Sequence, residues 1–394
     1  MNQSPSDLDA IRGEFEPAEL VDEEDTSRFD QVKPWNPAKI RITTKNFSLR
    51  EVVDQIAQKE IDLAPDFQRD YVWKARQRTR LIESILLGIP LPAFYFNQSN
   101  EGTYQVVDGV QRLSTISLFM RNQHALDKSD LEYLEHLHGA TFDSLDPPAS
   151  RRLRSTQIVV HVIEPQTPDE VKYDIFSRVN TLGSPLSAQE IRHAMSKDFS
   201  RSFLKRLAES EAFDLATKRH YWSRSVNGGF VRDSGRMTNR ELVLRFCAFK
   251  NYSAEEYRKH SSLDAFLVEF TRRLDGVSTM APVISENEVK ELELAFERGM
   301  LNASAILDDA AFRRWPIGAR RGPINRAVFE SQAIALSDFK LDQLLPNKRE
   351  IATGFRELFS DPEYSKAVTV ATGDPKSVAM RLSVTKTVLK SIVG

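Results

Sequence analysis

Asp108, Gly109, Gln111 and Arg112 crowd into five residues between an apolar strand pattern and an amphipathic helix pattern. Tyr104, Val106 and Val107 read as the strand end, and Leu113, Ile116 and Met120 recur at helical spacing directly after the motif. Asp108 then falls at the N-cap with Gln111 three residues on, the arrangement of a capping box. Arg112 stands in the first helical turn, where a cation faces the positive end of the macrodipole. Free N–H groups at a helix start, a close-approach glycine and a guanidinium together form a site for an anion, most simply a phosphate. The same spacing fits an ordinary capped helix whose Arg112 points into solvent. Spacing alone leaves both readings open.

Two further segments place polar groups at element boundaries. In Gln68-Arg69-Asp70-Tyr71-x-Trp73, Arg69 interrupts an aromatic extended run, where a guanidinium needs an anionic or hydrogen-bonding partner. In Arg178-x-Asn180-Thr181-Leu182-Gly183-Ser184, an αL C-cap at Gly183 accounts for the glycine but not for Arg178 and Asn180. Three such segments in one unit are expected to converge on one pocket. Farther on, Lys218, Arg219, Arg224, Arg232 and Arg236 face a single acid, Asp233, with Tyr221, Trp222 and Phe230 interleaved. That stretch reads as a loop that contacts nucleic-acid backbone and stacks a base through Arg219, Trp222, Arg224 and Arg232, as a lid over the first pocket, or as a solvated loop.

The elements that must position these groups alternate from about residue 40. Ile40 and Ile42 predict a first strand, and Ser48–Glu51 a capping box opening a helix with Leu49, Val52, Val53 and Ile56 on one face. Leu81, Ile82, Ile85 and Leu86 predict a helix that stops at Gly88 before Pro90. Phe94–Phe96 and Gln157–Ile163 read as strands. Thr167-Pro168-Asp169-Glu170 opens a helix, with Thr167 as its cap and Pro168 at N1, and Ser187 with Glu190 caps another. Beyond residue 200 strand signals almost vanish and helical patterns take over, as in Leu263, Phe266, Leu267, Phe270 and Leu274, or Leu292, Ala295, Phe296 and Leu301. The expected architecture is an α+β domain over 39–200, followed by an all-helical domain over 201–394. Residues 1–38 form an acidic tail with the composition of a mobile segment.

Charge follows the same division. The net charge of −2 sums a tail at −7, a middle at −1 and a helical region at +6. No apolar run approaches the roughly 20 residues of a membrane span, and the acidic N-terminus is unlike a signal peptide, so a cytoplasmic protein with no membrane partner is expected. The single cysteine, Cys247, sits in an apolar run and reads as a buried small hydrophobe, which excludes a cysteine zinc cluster. Walker A, G-x-G-x-x-G, G-x-S-x-G and H-E-x-x-H patterns are all missing. His136-x-His138 has the wrong spacing for one helical face, and no histidine follows His260.

The order of Phe67-Gln68-Arg69-x-Tyr71-x-Trp73, Val107-Asp108-Gly109-x-Gln111-Arg112-Leu113-x-Thr115 and Phe176-x-Arg178-x-Asn180-Thr181-x-Gly183-x-Pro185-Leu186-Ser187 resembles the N-terminal domain of GmrSD-type modification-dependent restriction enzymes. The resemblance covers roughly residues 38–200. It implies a ParB/sulfiredoxin-like fold and nucleoside triphosphate binding and hydrolysis in phage defence. Arg236-Met237-x-Asn239-x-Glu241-Leu242 resembles, more loosely, the helical companions of this domain.

Carried onto this chain, the resemblance assigns Asp108, Gly109, Gln111 and Arg112 to the phosphate site. Arg69 lies nearby, and Arg178 and Asn180 complete the nucleotide contacts. The family's usual Gln is Val110 here, which removes one polar contact. Restriction members also carry an HNH-type nuclease whose histidine this chain lacks after His260, so cleavage of DNA by this chain alone is not expected. The chemistry implied is triphosphate hydrolysis with Mg²⁺. Arg112 would neutralise phosphate, and Asp108 would serve as metal ligand or water-positioning base, with Asp70 or Glu190 as substitutes if Asp108 only caps. The rival is a non-catalytic, nucleotide-gated DNA-binding or adaptor protein that recruits a separately encoded nuclease.

Overall fold

A computed structural model describes residues 40–63, 73–179, 187–224, 229–233, 236–278 and 280–394. The acidic tail, Arg69, Asp70, Asn180 and Gly183 lie outside the described residues. The chain divides into two compact units that meet in sequence at Met195 and Ser196.

The first unit is built on a five-stranded mixed sheet. Its strands are β1 (Ile42–Ser48), β2 (Ile61–Asp62), β3 (Phe94–Gln98), β4 (Tyr104–Asp108) and β5 (Gln157–Ile163), in the order β1-β5-β3-β4-β2. β1 runs antiparallel to β5, β5 parallel to β3, β3 antiparallel to β4, and β4 parallel to β2. Side-chain alternation gives the sheet two buried faces. Phe94, Phe96, Val106, Ile158, Val160 and Val162 join one core with α1 (Leu49–Ala57), α2 (Ala75–Leu87), α3 (Val110–Met120) and α4 (Pro147–Ser155). Val107, Ile163 and Tyr95 face the other way. There they pack with Phe176 of α5 (Asp169–Val179) and Ile191 and Ala194 of α6 (Ala188–Ala194).

Local rules place most of these ends. The Ser48 hydroxyl accepts the Glu51 N–H at 3.2 Å, and Gly88 closes α2 at φ 83°. Ser187 and Glu190 form a reciprocal capping box, with the Ser187 N–H donating to Glu190 Oε2 at 2.6 Å. Thr167 departs from its expected role. Its hydroxyl accepts the Arg41 N–H at 3.1 Å and donates to the Arg41 carbonyl at 3.0 Å, so it ties the segment before α5 to the start of β1.

One buried carboxylate does similar work across a longer span. Glu83 on α2 is 3% exposed and accepts the N–H groups of Glu132, Tyr133 and Leu134 at 2.7–3.1 Å. Burial raises its pKa, but the three N–H bonds and Arg80 outweigh that and hold it below the usual range.

The second unit is helical. It contains α7 (Asp198–Ala208), α8 (Glu211–Ala216), α9 (Thr238–Lys250), α10 (Ala254–Arg258), α11 (Leu263–Leu274) and α12 (Glu286–Leu307). α13 (Arg326–Ser337), α14 (Leu341–Leu344), α15 (Lys348–Glu357), α16 (Pro362–Ala367) and α17 (Pro375–Val393) complete it. Phe213, Phe246, Phe296 and Phe329 meet in its core, and Cys247 is buried beside them, its thiol pKa pushed up by burial. Leu263, Leu267, Phe270 and Leu274 form the buried stripe of α11, but Leu301, counted with the apolar face of α12, is exposed.

A charged network also runs through this core. Arg245 donates to Glu241 at 3.0 Å, Arg326 lies 3.2 Å from Glu241, and Arg381 pairs with Glu330, both fully buried. Glu241 of the Arg236–Leu242 motif thus anchors buried ion pairs that helical periodicity did not reveal.

Candidate functional site

Strand β4 ends at Asp108 and helix α3 begins at Val110, so the residue between them, Gly109, is the N-cap. Its backbone is left-handed, φ 104° and ψ 7°, and no side chain caps the helix. The expectation that Asp108 caps α3 through a box with Gln111 is therefore corrected. The strand holds Asp108 one residue too early, and a positive φ at Gly109 turns the chain into the helix.

Gly109 is needed for a second reason. A Cβ there would stand 2.2 Å from Cδ1 and 2.7 Å from Cε1 of Phe94, well inside van der Waals contact. The close approach expected of this glycine is to the Phe94 ring.

Arg112 does not point into solvent. Its guanidinium is largely buried and folds back on its own unit. Nη2 donates to Asp108 Oδ2 at 2.8 Å and to the Ala93 carbonyl at 3.2 Å, Nη1 donates to the Pro92 carbonyl at 2.5 Å, and the plane sits 4.0 Å from the Phe94 ring centroid. Burial lowers its pKa and Asp108 opposes that, leaving a net decrease for a group that stays charged at any physiological pH.

The helix start itself is open. The first N–H groups of any helix lack intrahelical acceptors, and those of Val110, Gln111 and Arg112 meet no acceptor among the described residues. Gln111 Oε1 is buried and accepts no hydrogen bond. Asp108 uses one carboxylate oxygen on Arg112. The result is a partial positive charge at a helix start, flanked by a guanidinium whose neutralising carboxylate supplies a single bond.

Of the other predicted nucleotide contacts, Arg178 is exposed in the last turn of α5. Arg69 and Asn180 lie outside the described residues. Glu190, a candidate substitute carboxylate, is buried and committed to capping α6.

The basic stretch in the helical unit is a hairpin rather than a loop. β6 (Trp222–Arg224) pairs antiparallel with β7 (Phe230–Arg232). Arg232, expected at nucleic acid, is held by Asp214 through two parallel bonds of 2.7 and 2.6 Å and lies 4.7 Å from the Trp222 ring centroid. Arg219 lies over the same ring at 5.9 Å, and Lys218 pairs with Asp308. Trp222 is flanked by two arginines. Arg219 and Arg224 are exposed and have no acidic partner among the described residues. At the hairpin foot, burial and the nearby Arg313 push the His220 imidazole down to about 4, against the pull of Asp233.

No cluster of three or more His, Cys, Asp or Glu suited to a metal occurs among the described residues. No helix among the described residues is long and apolar enough to cross a membrane.

The first unit is thus a mixed sheet whose β4 runs through a left-handed glycine into the start of α3. Residues 49–196 match the family model of the GmrSD restriction endonuclease N-terminal domain. Among curated proteins no relative matches. Among solved structures, the C2221 form of a Pnob8-like ParB-N domain is similar at 11% identity and a TM-score of 0.21, over 90% of this chain and 99% of that chain.

Proposed function

We propose that the Gly109–Arg112 helix start binds the phosphates of a nucleoside triphosphate and that the chain hydrolyses it within a restriction-type system. The observation that supports this most is the open helix start, where three N–H groups without acceptors lie beside a charged guanidinium. Phosphoryl transfer calls chiefly for positioning and charge neutralisation, which such a cradle supplies without rearrangement. Gly109 brings the backbone in without a side chain, and Arg112 is preorganised by Pro92, Ala93 and Phe94. Mg²⁺ is commonly held by one or two carboxylates plus the substrate phosphates, a pattern that the second oxygen of Asp108 fits. When bound, the metal would neutralise charge on the transferring phosphoryl group.

One observation favours the non-catalytic, nucleotide-gated alternative: Asp108 is already engaged by Arg112, which weakens it as a base. The two readings part on turnover.

Each triphosphate is titrated into the protein with and without Mg²⁺, and phosphate release is followed in parallel. Binding with release supports hydrolysis, and binding without release supports gating. Arg112→Lys should weaken binding by about 1.5–3 kcal/mol, the scale of a charge-assisted hydrogen bond. Asp108→Asn should spare binding and abolish any Mg²⁺-dependent release. Unchanged affinity in a folded Arg112→Lys protein, checked by its melting curve, removes this site from consideration.

A further inference from the structure

The stretch 310–329 contains five arginines and no acidic residue. Its first half is a braced protrusion. Arg313 donates to the Gly322 carbonyl at 3.0 Å, Gly322 N–H donates to the Arg314 carbonyl at 3.1 Å, and Arg313 bridges Ile324. A Cβ on Gly322 would meet the Arg314 carbonyl at 2.9 Å, so the two strands of the protrusion approach as closely as backbone allows. Arg356 stacks 4.3 Å from the Trp315 ring centroid and donates to the Trp315 carbonyl. Arg313 and Arg326 serve inside the unit. Arg314 and Arg320 stand exposed and have no acidic partner among the described residues, next to Ile317 at 56% exposure.

This protrusion and the β6–β7 hairpin share a base. Asp308 takes Lys218 from the hairpin foot, and its neighbour Asp309 takes Arg321 from the protrusion at 3.6 Å. The depressed His220 titration reports Arg313 beside the same foot. Two adjacent carboxylates absorb one cation from each side and leave Arg219, Arg224, Arg314 and Arg320 uncompensated.

Backbone strain marks the same place. Nine non-glycine residues among those described have positive φ, and six of them are Lys218, Arg219, Arg236, Met237, Asp308 and Phe312, at the roots of the two protrusions. Such conformations persist only where the surroundings over-determine them.

We infer that the 313–324 protrusion and the hairpin form one nucleic-acid backbone clamp on the helical unit, with Arg314, Arg320, Arg219 and Arg224 on phosphates. Arginine rather than lysine supplies all four cations, which suits the planar, bidentate geometry of a phosphate better than a diffuse anionic surface. A phosphodiester chain presents closely spaced single charges, matching several fixed guanidiniums better than the scattered carboxylates of an acidic protein. The clamp is independent of the nucleotide site and extends the basic surface beyond the hairpin.

The test is fluorescence anisotropy of the full chain with a labelled DNA duplex and its single strand, from 50 to 300 mM salt, with and without nucleotide. Arg314→Gln/Arg320→Gln should cost about tenfold in affinity and reduce the log–log salt slope on duplex by about 1.8. Arg219→Gln/Arg224→Gln should act alike, and Arg298→Gln, exposed on α12 outside both protrusions, should change neither. Both double variants alter exposed side chains only, and melting curves confirm their folding. The clamp is overturned if no nucleic acid binds in any condition, or if Arg314→Gln/Arg320→Gln leaves affinity and slope unchanged. Binding to anionic phospholipid vesicles that matches or exceeds binding to DNA also overturns it. Triphosphate binding is measured on the same variants; retained nucleotide affinity with lost DNA affinity separates the clamp from the nucleotide site.

Discussion

Asp108–Arg112 in the sheet unit and Asp214–Arg232 in the helical unit are both arginine–aspartate pairs, yet they neutralise charge differently. Arg232 meets its partner through two parallel bonds, and Asp214 is nearly buried with 8% of its side chain exposed. That pair is closed. Arg112 meets Asp108 through one bond and shares its remaining contacts with two carbonyls and a ring, while Asp108 keeps 35% of its side chain exposed. Carbonyls orient a guanidinium without cancelling its charge. The Asp214–Arg232 pair is therefore architecture, whereas the Asp108–Arg112 pair leaves one carboxylate oxygen and the adjacent helix start open. A count of arginines cannot tell the two apart; the acceptors decide.

The largest expected effect tests the turn that makes the second arrangement possible. Gly109→Ala forces a side chain into a positive-φ position and into the Phe94 ring, so unfolding free energy should fall by about 4 kcal/mol, read by urea denaturation. A loss below about 1 kcal/mol would mean that Phe94 moves aside, and the tight strand–helix turn would not be what sets Arg112.

Next comes the closed side of the comparison, through pH. His220 is held neutral at the hairpin foot, with a folded pKa of about 4 against an ordinary 6.5. Above pH 6.5 both folded and unfolded states are neutral there, so the group contributes no pH dependence. Between pH 6.5 and 4 only the unfolded state takes the proton, so stability should drop as pH falls, by about 2–3 kcal/mol at the lower end. His220→Phe should flatten that part of the profile.

Arg232→Gln leaves Asp214 charged, nearly buried and without its fork, which should cost about 2 kcal/mol in a denaturation curve. If the closed pair is architecture, this variant loses stability, while DNA affinity changes much less than in Arg219→Gln/Arg224→Gln. The reverse pattern would make Arg232 a ligand contact and collapse the distinction.

The smallest effect concerns a buried carboxylate held chiefly by backbone N–H groups. Glu83 is depressed in the folded state by its N–H bonds and Arg80, so its stabilisation is present at neutral pH. It is lost as pH falls below its unfolded value through its folded one. Glu83→Gln should cost about 1 kcal/mol at pH 7 and reduce the acid sensitivity of the first unit, as followed by hydrogen exchange of the Glu132–Leu134 amides.

Much of the fold was legible because it is local. The strands through Ile42, Phe94, Val106 and Val160, the Ser48 cap, the Gly88 stop and the Ser187–Glu190 box each depend on residues within four positions of one another. The shift from a mixed α+β region to a helical one was equally plain, since the hydrophobic period itself changes. The hairpin at Trp222–Arg232 was missed because three-residue strands give no periodic signal.

By itself the sequence determined the element types, the change of architecture near residue 200 and the presence of a strand–glycine–helix unit carrying Arg112. Hydrogen-bond patterns and side-chain periodicity act over one turn or one pleat, and a chain displays them residue by residue. Only the tertiary structure decided that Gly109 yields to Phe94, that Arg112 turns back to Pro92 and Ala93, and that Asp214 takes Arg232. Those partners lie fifteen to twenty residues away along the chain. What selects them is the cost of burying a charge without acceptors, a cost that arises only once the strands have brought those acceptors together.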